Sequence, residues 1–325
     1  MKQSLRTDAT TASFKPMAYR VAHVVVPVAS ILFVLSHVDG AEVWAALRGM
    51  QAGLMLAAVV ACSLQIVLSA LRWRLTASLL GAAMTRRSAV SEYYLSSFIN
   101  MTLPGGVLGD ATRALRARTT AGLETAAQAV VIERFAGQIA LGTVLLLGLA
   151  VSGRSVLQTS AWIAAGVIAI LLLLLRAARR AEITGRAPAF LRRFGLAIGR
   201  SWAWGRGFAA QAVLSLAIVV VNLVAFACAA RAVGAEIGFP AILYAVPLIL
   251  LAMLIPFSIG GWGYREGAAA AIFPLIGQSA AMGVSASVAF GAAILLASLP
   301  GAFLILRPAH RPGPASSMPA ERASK

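Results

Sequence analysis

The sequence is short of acid, of histidine and cysteine, and of charge altogether. Only 11 Asp and Glu stand against 28 Lys and Arg, and charged residues make up 12% of the 325. Ordinary soluble domains carry about 25%. A chain this poor in charge cannot clothe its outside for water, so a soluble globular protein is excluded. The three histidines (His23, His37, His310) lie apart from the cysteines and from any carboxylate cluster. Cys62 and Cys228 both fall inside apolar runs. A metal site and a disulfide framework are therefore not expected, and no cofactor or nucleotide motif is present.

What the chain has in excess is apolar residue, at 60%, with a mean hydropathy of +0.84. It also has a formal net charge of +17. The basic residues sit in short segments between apolar runs, and no RNA- or DNA-binding signature accompanies them. They are topology signals, and nucleic acid is not an expected partner.

A helical span needs about 20 apolar residues. Six stretches qualify, at 18–36, 53–71, 125–151, 156–175, 208–230 and 283–306. Two more, 89–109 and 241–277, are broken by Pro and Gly and read as re-entrant segments. The expected fold class is all-α, a polytopic transmembrane bundle over 18–306 with about six full spans and two broken segments. Tails at 1–17 and 307–325 are expected to be disordered and cytoplasmic. The first apolar stretch lacks a small-residue cleavage site and is expected to stay as a span. With both broken segments returning to the side they enter, nearly all Lys and Arg fall on one side. Only Arg48, Arg154 and Arg231 lie opposite, with Arg134 and Arg265 at membrane depth. That bias places both termini in the cytoplasm, in a bacterial inner membrane. The basic 176–206 segment, interleaved with Phe194, Trp202 and Trp204, reads equally well as an amphipathic surface helix or as a plain loop.

Three segments carry chemistry. The first holds Pro104, Gly105 and Gly106, then Gly109, Asp110 and Arg113. Its irregular backbone suits only a protein interior or a wet cavity. Asp110 is expected to cap the next helix, with Arg113 and Arg116 on one face beyond it. The second holds Pro256, Ser258, Gly260 and Gly261, then Gly263, Arg265 and Glu266. Its Pro, Gly-Gly, Gly, Arg order loosely matches the first, as an inverted repeat would. The third is Glu133-Arg134, about 15 Å into its span at 1.5 Å per residue. An ionised residue at a helix centre costs roughly 2.5–3.5 kcal/mol in hydrocarbon, so each needs a partner. The partners open to this pair are Arg113, Arg265, Asp110 and Glu266. A buried ion network that only fixes register is the bland alternative. Trp73, Tyr93 and Tyr94 read as members of an interfacial belt, whereas Trp262 does not. Glu92 reads as a solvated helix end, with a minor place in the site as the alternative.

The chain resembles the membrane part of lysylphosphatidylglycerol synthases and the flippase-like membrane proteins that share it. The pieces are Leu71-Arg72-Trp73-Arg74, Leu103 to Gly106 with Gly109-Asp110 and Arg113, Glu133-Arg134, and Ile255 to Gly267. They occur in the family's order from about residue 20 to 306, and the last is the most specific. The resemblance implies a helical bundle with two oppositely entering re-entrant elements and a role in lipid translocation or lipid-linked envelope chemistry. Only a short polar stretch follows the last span, so the soluble aminoacyl-transferring domain of the synthases is not matched.

The leading expectation is thus a flippase-like membrane protein that translocates or handles a lipid, not an enzyme, needing no cofactor, with a membrane lipid as its substrate. Arg113, Arg265 and Arg134 would meet an anionic head group, balanced by Glu133, Glu266 and Asp110. An intramembrane enzyme using one of those carboxylates as base, and an accessory subunit with an envelope-synthesis partner or a second copy, remain as alternatives.

Overall fold

The computed structural model describes residues 36, 38–103, 107–152, 186–202, 206–254 and 260–305, and the described residues form helices without strands. The spans expected at 18–36 and 156–175, both tails, Pro104 to Gly106 and Ser258 lie outside them. Among the described residues four helices are long and apolar enough to cross a membrane: Ala52–Leu79, Gly122–Ser152, Gly207–Ala232 and Ala280–Leu304. Each coincides with an apolar run of the sequence.

The elements in chain order are α1 (Gly40–Arg48), α2 (Ala52–Leu79), α3 (Arg86–Thr102), α4 (Leu108–Ser152), α5 (Arg186–Ser201), α6 (Arg206–Ala232), α7 (Phe239–Leu251), α8 (Tyr264–Ile272) and α9 (Ala280–Ser298). Side-chain caps start several of them. Thr85 Oγ1 accepts from Ser88 N at α3, and Ser279 Oγ accepts from Met282 N at α9. Each satisfies a donor that the first helical turn leaves over. The core is made of small residues. Ala58, Ala70, Ala225, Ala229, Ala230 and Ala293 are fully buried, which lets α2, α6 and α9 approach closely. Helices α2 and α6 run antiparallel. Gln51 N donates to Ala232 O at one end (2.8 Å), and Gly207 rests on Leu79 at the other.

The ends of the bundle differ in charge. Arg86, Arg87, Arg192, Arg193 and Arg200 lie toward the end that holds Leu79 and Gly207, called the basic end below. There α5 is a helix, and its Phe194, Ala197 and Ile198 pack against Leu80 and Ile132. Arg193 reaches Glu124 (3.1 Å). Of the two readings of this basic stretch, an amphipathic helix is therefore the observed one for 186–201.

Both interrupted segments fold back on themselves. Helix α3 and the first arm of α4 (108–121) make an antiparallel hairpin. Arg116 clamps Glu92 at its base with two hydrogen bonds (2.6 and 2.9 Å), and Asn100 Oδ1 accepts from Gly109 N near its tip (2.8 Å). A side chain at Gly109 would collide with the Ser96 carbonyl, so the two arms meet backbone to backbone. At Gly122, φ is +82° and ψ 159°, and the chain bends from this arm into the span. Glycine alone takes that angle without strain. The second hairpin runs from α7 to α8. Gln278 Nε2 donates to Glu236 O (3.2 Å) and closes its base at the end opposite the basic one. The hairpins thus come from opposite ends, and their tips touch. Gly260 sits against Met101 so closely that an added Cβ would fall 2.8 Å from the thioether sulfur.

Candidate functional site

Among the described residues two sets of buried ionised side chains result, at different depths. The larger lies about 10–16 Å from the basic end by helical rise. Glu133, from the second arm of α4, is fully buried and accepts from three helices. Arg72 of α2 gives it Nη2 and Nε to Oε1 (2.6 and 3.2 Å), Tyr93 of α3 gives its hydroxyl (3.3 Å), and Arg113 gives Nη2 to Oε2 (3.2 Å). Arg113 also holds Asp110 Oδ1 (3.0 Å), and Arg134 holds Asp110 Oδ2 (2.7 Å). Arg113 lies between two rings, its Cζ 4.6 Å from the centroid of Trp73 and 4.4 Å from that of Tyr93. Ser215 of α6 accepts from Arg72 Nη1 (3.1 Å). Three guanidiniums face two carboxylates, so the set carries one uncompensated positive charge. A buried pair of this kind is held in place because removing either partner strands the other.

The smaller set lies toward the opposite end. Arg265 and Glu266 are consecutive, yet they pair (2.7 Å), because Glu266 turns back to accept from Gly263 N (2.6 Å) at the start of α8. Ser287 of α9 closes the ring. It accepts from Arg265 Nε and donates to Glu266 Oε1, both at 2.9 Å. Trp262 and Phe290 cover the guanidinium at 5.1 and 5.6 Å. This set is neutral, and Arg265 Nη1 is left buried without a hydrogen-bond partner among the described residues.

Between them lies a cavity of about 260 Å³. It is lined by Arg72, Tyr93 and Arg134 from the larger set, by Asn100 and Met101 at one hairpin tip, and by Gly260 and Gly261 at the other. The Arg134 side chain is 46% exposed, against 0% for Arg113 and Arg265.

The residues singled out from the sequence fall out as follows. Asp110, Arg113, Glu133 and Arg134 come together. Arg265 and Glu266 form their own set, covered on the cavity side by Phe290. Gly260 and Gly261 reach the cavity. Pro104, Gly105, Gly106 and Ser258 lie outside the described residues. Asp110 is not a helix cap. It stands in the first turn of α4, where two arginines use its carboxylate. Glu92 is not a solvated end but the partner of Arg116. Trp73 and Tyr93 are not belt residues. Both are buried, and they stack on Arg113. Arg72 was missed as a site residue, because an arginine after an apolar run looks like a topology charge. The helix in fact continues to Leu79, which puts Arg72 about two turns inside. Length of continuing helix was the available signal.

Among the described residues no group of three or more His, Cys, Asp or Glu is arranged to hold a metal. Helices of spanning length, paired hairpins and ionised groups turned inward around a cavity define a polytopic helical membrane protein with an internal polar site. The profile of the Lysylphosphatidylglycerol synthase TM region matches residues 19–301, and the chain belongs to that family. No curated protein matches the chain.

Proposed function

We propose that this protein moves a membrane lipid between leaflets as a flippase. The head group passes through the cavity where the two hairpin tips meet, and the acyl chains stay in the bilayer. The supporting observation is Arg134. It is half-exposed to the cavity while its partner Asp110 is shared, in a set with one positive charge left over. An anionic phosphate is the natural counterpart of such a surplus. Family membership supports lipid handling in general, and the polar cavity where the hairpin tips meet supports translocation in particular. The hairpins act as re-entrant elements in a bacterial inner membrane, with the basic end toward the cytoplasm.

An enzyme acting on a lipid would need a general base. Asp110 and Glu133 are each held by two arginines, and Glu266 by Arg265, Ser287 and a backbone N–H. That occupancy favours transport without chemical change. The test is reconstitution of the full chain into vesicles, with a fluorescent phospholipid in one leaflet followed by quenching. Leaflet exchange above protein-free vesicles is expected, and Arg134→Ala, correctly inserted, should lose it. Exchange by the variant at the wild-type rate would overturn the assignment.

A further inference from the structure

Helix α5 divides its sides sharply. Ala197, Ile198 and Ser201 are buried, and Phe194, Ala197 and Ile198 are spent on Leu80 and Ile132. Arg192, Arg193, Leu196 and Arg200 are exposed. At 3.6 residues per turn these four fall within an arc of about 100°. They form one outward stripe, three guanidiniums around a leucine. Arg193 meets Glu124, with both side chains open to the outside, and Arg192 and Arg200 have no carboxylate partner among the described residues. The same end of the bundle exposes Arg86, Arg87 and Arg118, and among the described residues Glu124 is the one exposed acid there. The helix flanks the outermost turns of the bundle. Leu80 stands just past the end of α2. Gln211, whose Nε2 donates to Ser201 O (3.3 Å), lies roughly 7 Å into α6 by helical rise. The head-group layer adds about 5–8 Å on each side of the hydrocarbon core, so α5 stands at its level.

We infer that the outer face of α5 docks on an anionic lipid surface, the head-group layer of the leaflet at the basic end. This surface is separate from the cavity and does not depend on what the cavity carries. The apolar side of the helix is already used on the bundle, so the pull of the outer stripe comes from charge. Each arginine close to an anionic leaflet strengthens such docking about fivefold. Leu196, at 53% exposure, supplies an apolar point between the guanidiniums. Arginine stems lie along apolar surface while their heads reach phosphates. A zwitterionic surface has no net charge to offer them. An acidic soluble protein would match the same charges. The placement of α5 at head-group level, tucked against the flank of the bundle, favours lipid.

The experiment is amide hydrogen exchange of the full chain in lipid nanodiscs. The discs are phosphatidylcholine alone, phosphatidylcholine with phosphatidylglycerol, and phosphatidylcholine with phosphatidylserine. A fourth sample adds soluble polyglutamate to the phosphatidylcholine discs. Exchange across α5 should slow about fivefold or more in both anionic discs, while α9 stays unchanged. The slowing should fade as salt is raised, since exposed charges are screened. Arg192→Gln, Arg193→Gln and Arg200→Gln together should remove it. Lysine at the same three positions should keep it, because charge carries the contact. Unchanged exchange of α9 in phosphatidylcholine shows that each variant is folded. Equal exchange of α5 in all three discs overturns the docking, as does a slowing that survives high salt or the three glutamines. Slowing by phosphatidylglycerol without phosphatidylserine marks a single bound lipid and overturns the surface. Slowing by polyglutamate alone gives the face to an acidic protein instead.

Discussion

The two buried charge sets differ in the way they are closed. The set around Arg265 is local. Two consecutive residues, one backbone N–H and Ser287 bond to one another, leaving only Arg265 Nη1 over, and aromatic rings cover them. The set around Glu133 draws on α2, α3, both arms of α4 and α6, carries a charge too many, and borders a cavity. A neutral set covered by aromatic rings fixes helix positions and presents no surplus charge to the cavity. An unbalanced set beside a cavity has an electrostatic need left over. Under the proposed function, the comparison assigns register to Arg265 and Glu266 and substrate contact to Arg134 and Arg72, although the sequence reading puts Arg265 beside Arg134 at the head group and takes Arg72 for a topology charge.

Four substitutions test that division, in descending order of expected cost to stability. Glu133→Gln takes the only carboxylate from Arg72, leaves Arg113 to Asp110 alone, and should cost about 3–5 kcal/mol, the range for breaking a buried pair. Thermal unfolding in detergent would register it as a large fall in midpoint. Glu266→Gln strands one and keeps an acceptor for Gly263 N, so roughly 2–3 kcal/mol is expected. Lipid exchange per folded molecule should be retained, and its loss would break the comparison. Ser287→Ala removes a neutral link and should cost about 1 kcal/mol in the same unfolding assay, again with exchange unchanged. Arg134→Ala touches a half-exposed pair and should cost under about 1 kcal/mol, yet exchange should disappear. If stability fell steeply there with exchange intact, Arg134 would belong with the structural residues instead.

Much of the scaffold was legible in the sequence. The long apolar runs at 53–71, 125–151, 208–230 and 283–306 became helices of spanning length because lipid permits little else. Pro and Gly clusters marked the hairpins for the same reason, since their breaks had to be sheltered. The pairing of charges was only half legible. Asp110 and Arg113 were among the partners open to Glu133-Arg134, and they are the ones used. Arg72 was not, because a window over hydropathy cannot tell an arginine neutralised by Glu133 from one reaching head groups. Trp73 and Tyr93 were misplaced by the same blindness, as an aromatic beside an arginine has identical composition in a belt and in a stack. The Arg265–Glu266 pair was hidden for another reason. Neighbours on a regular helix point about 100° apart, and only the irregular start at Gly263 brings these two together.

The meeting of Met101 with Gly260 has a mechanical consequence. An unbranched thioether is among the softest of side chains, and glycine offers no side chain at all. Salt links and backbone clamps tie the hairpins near their bases, at Glu92–Arg116 and Glu236–Gln278, so each resembles a jaw hinged at its own rim. Shear applied across the molecule is therefore relieved at this midpoint seam, where contacts reform at little cost, before either rim gives way.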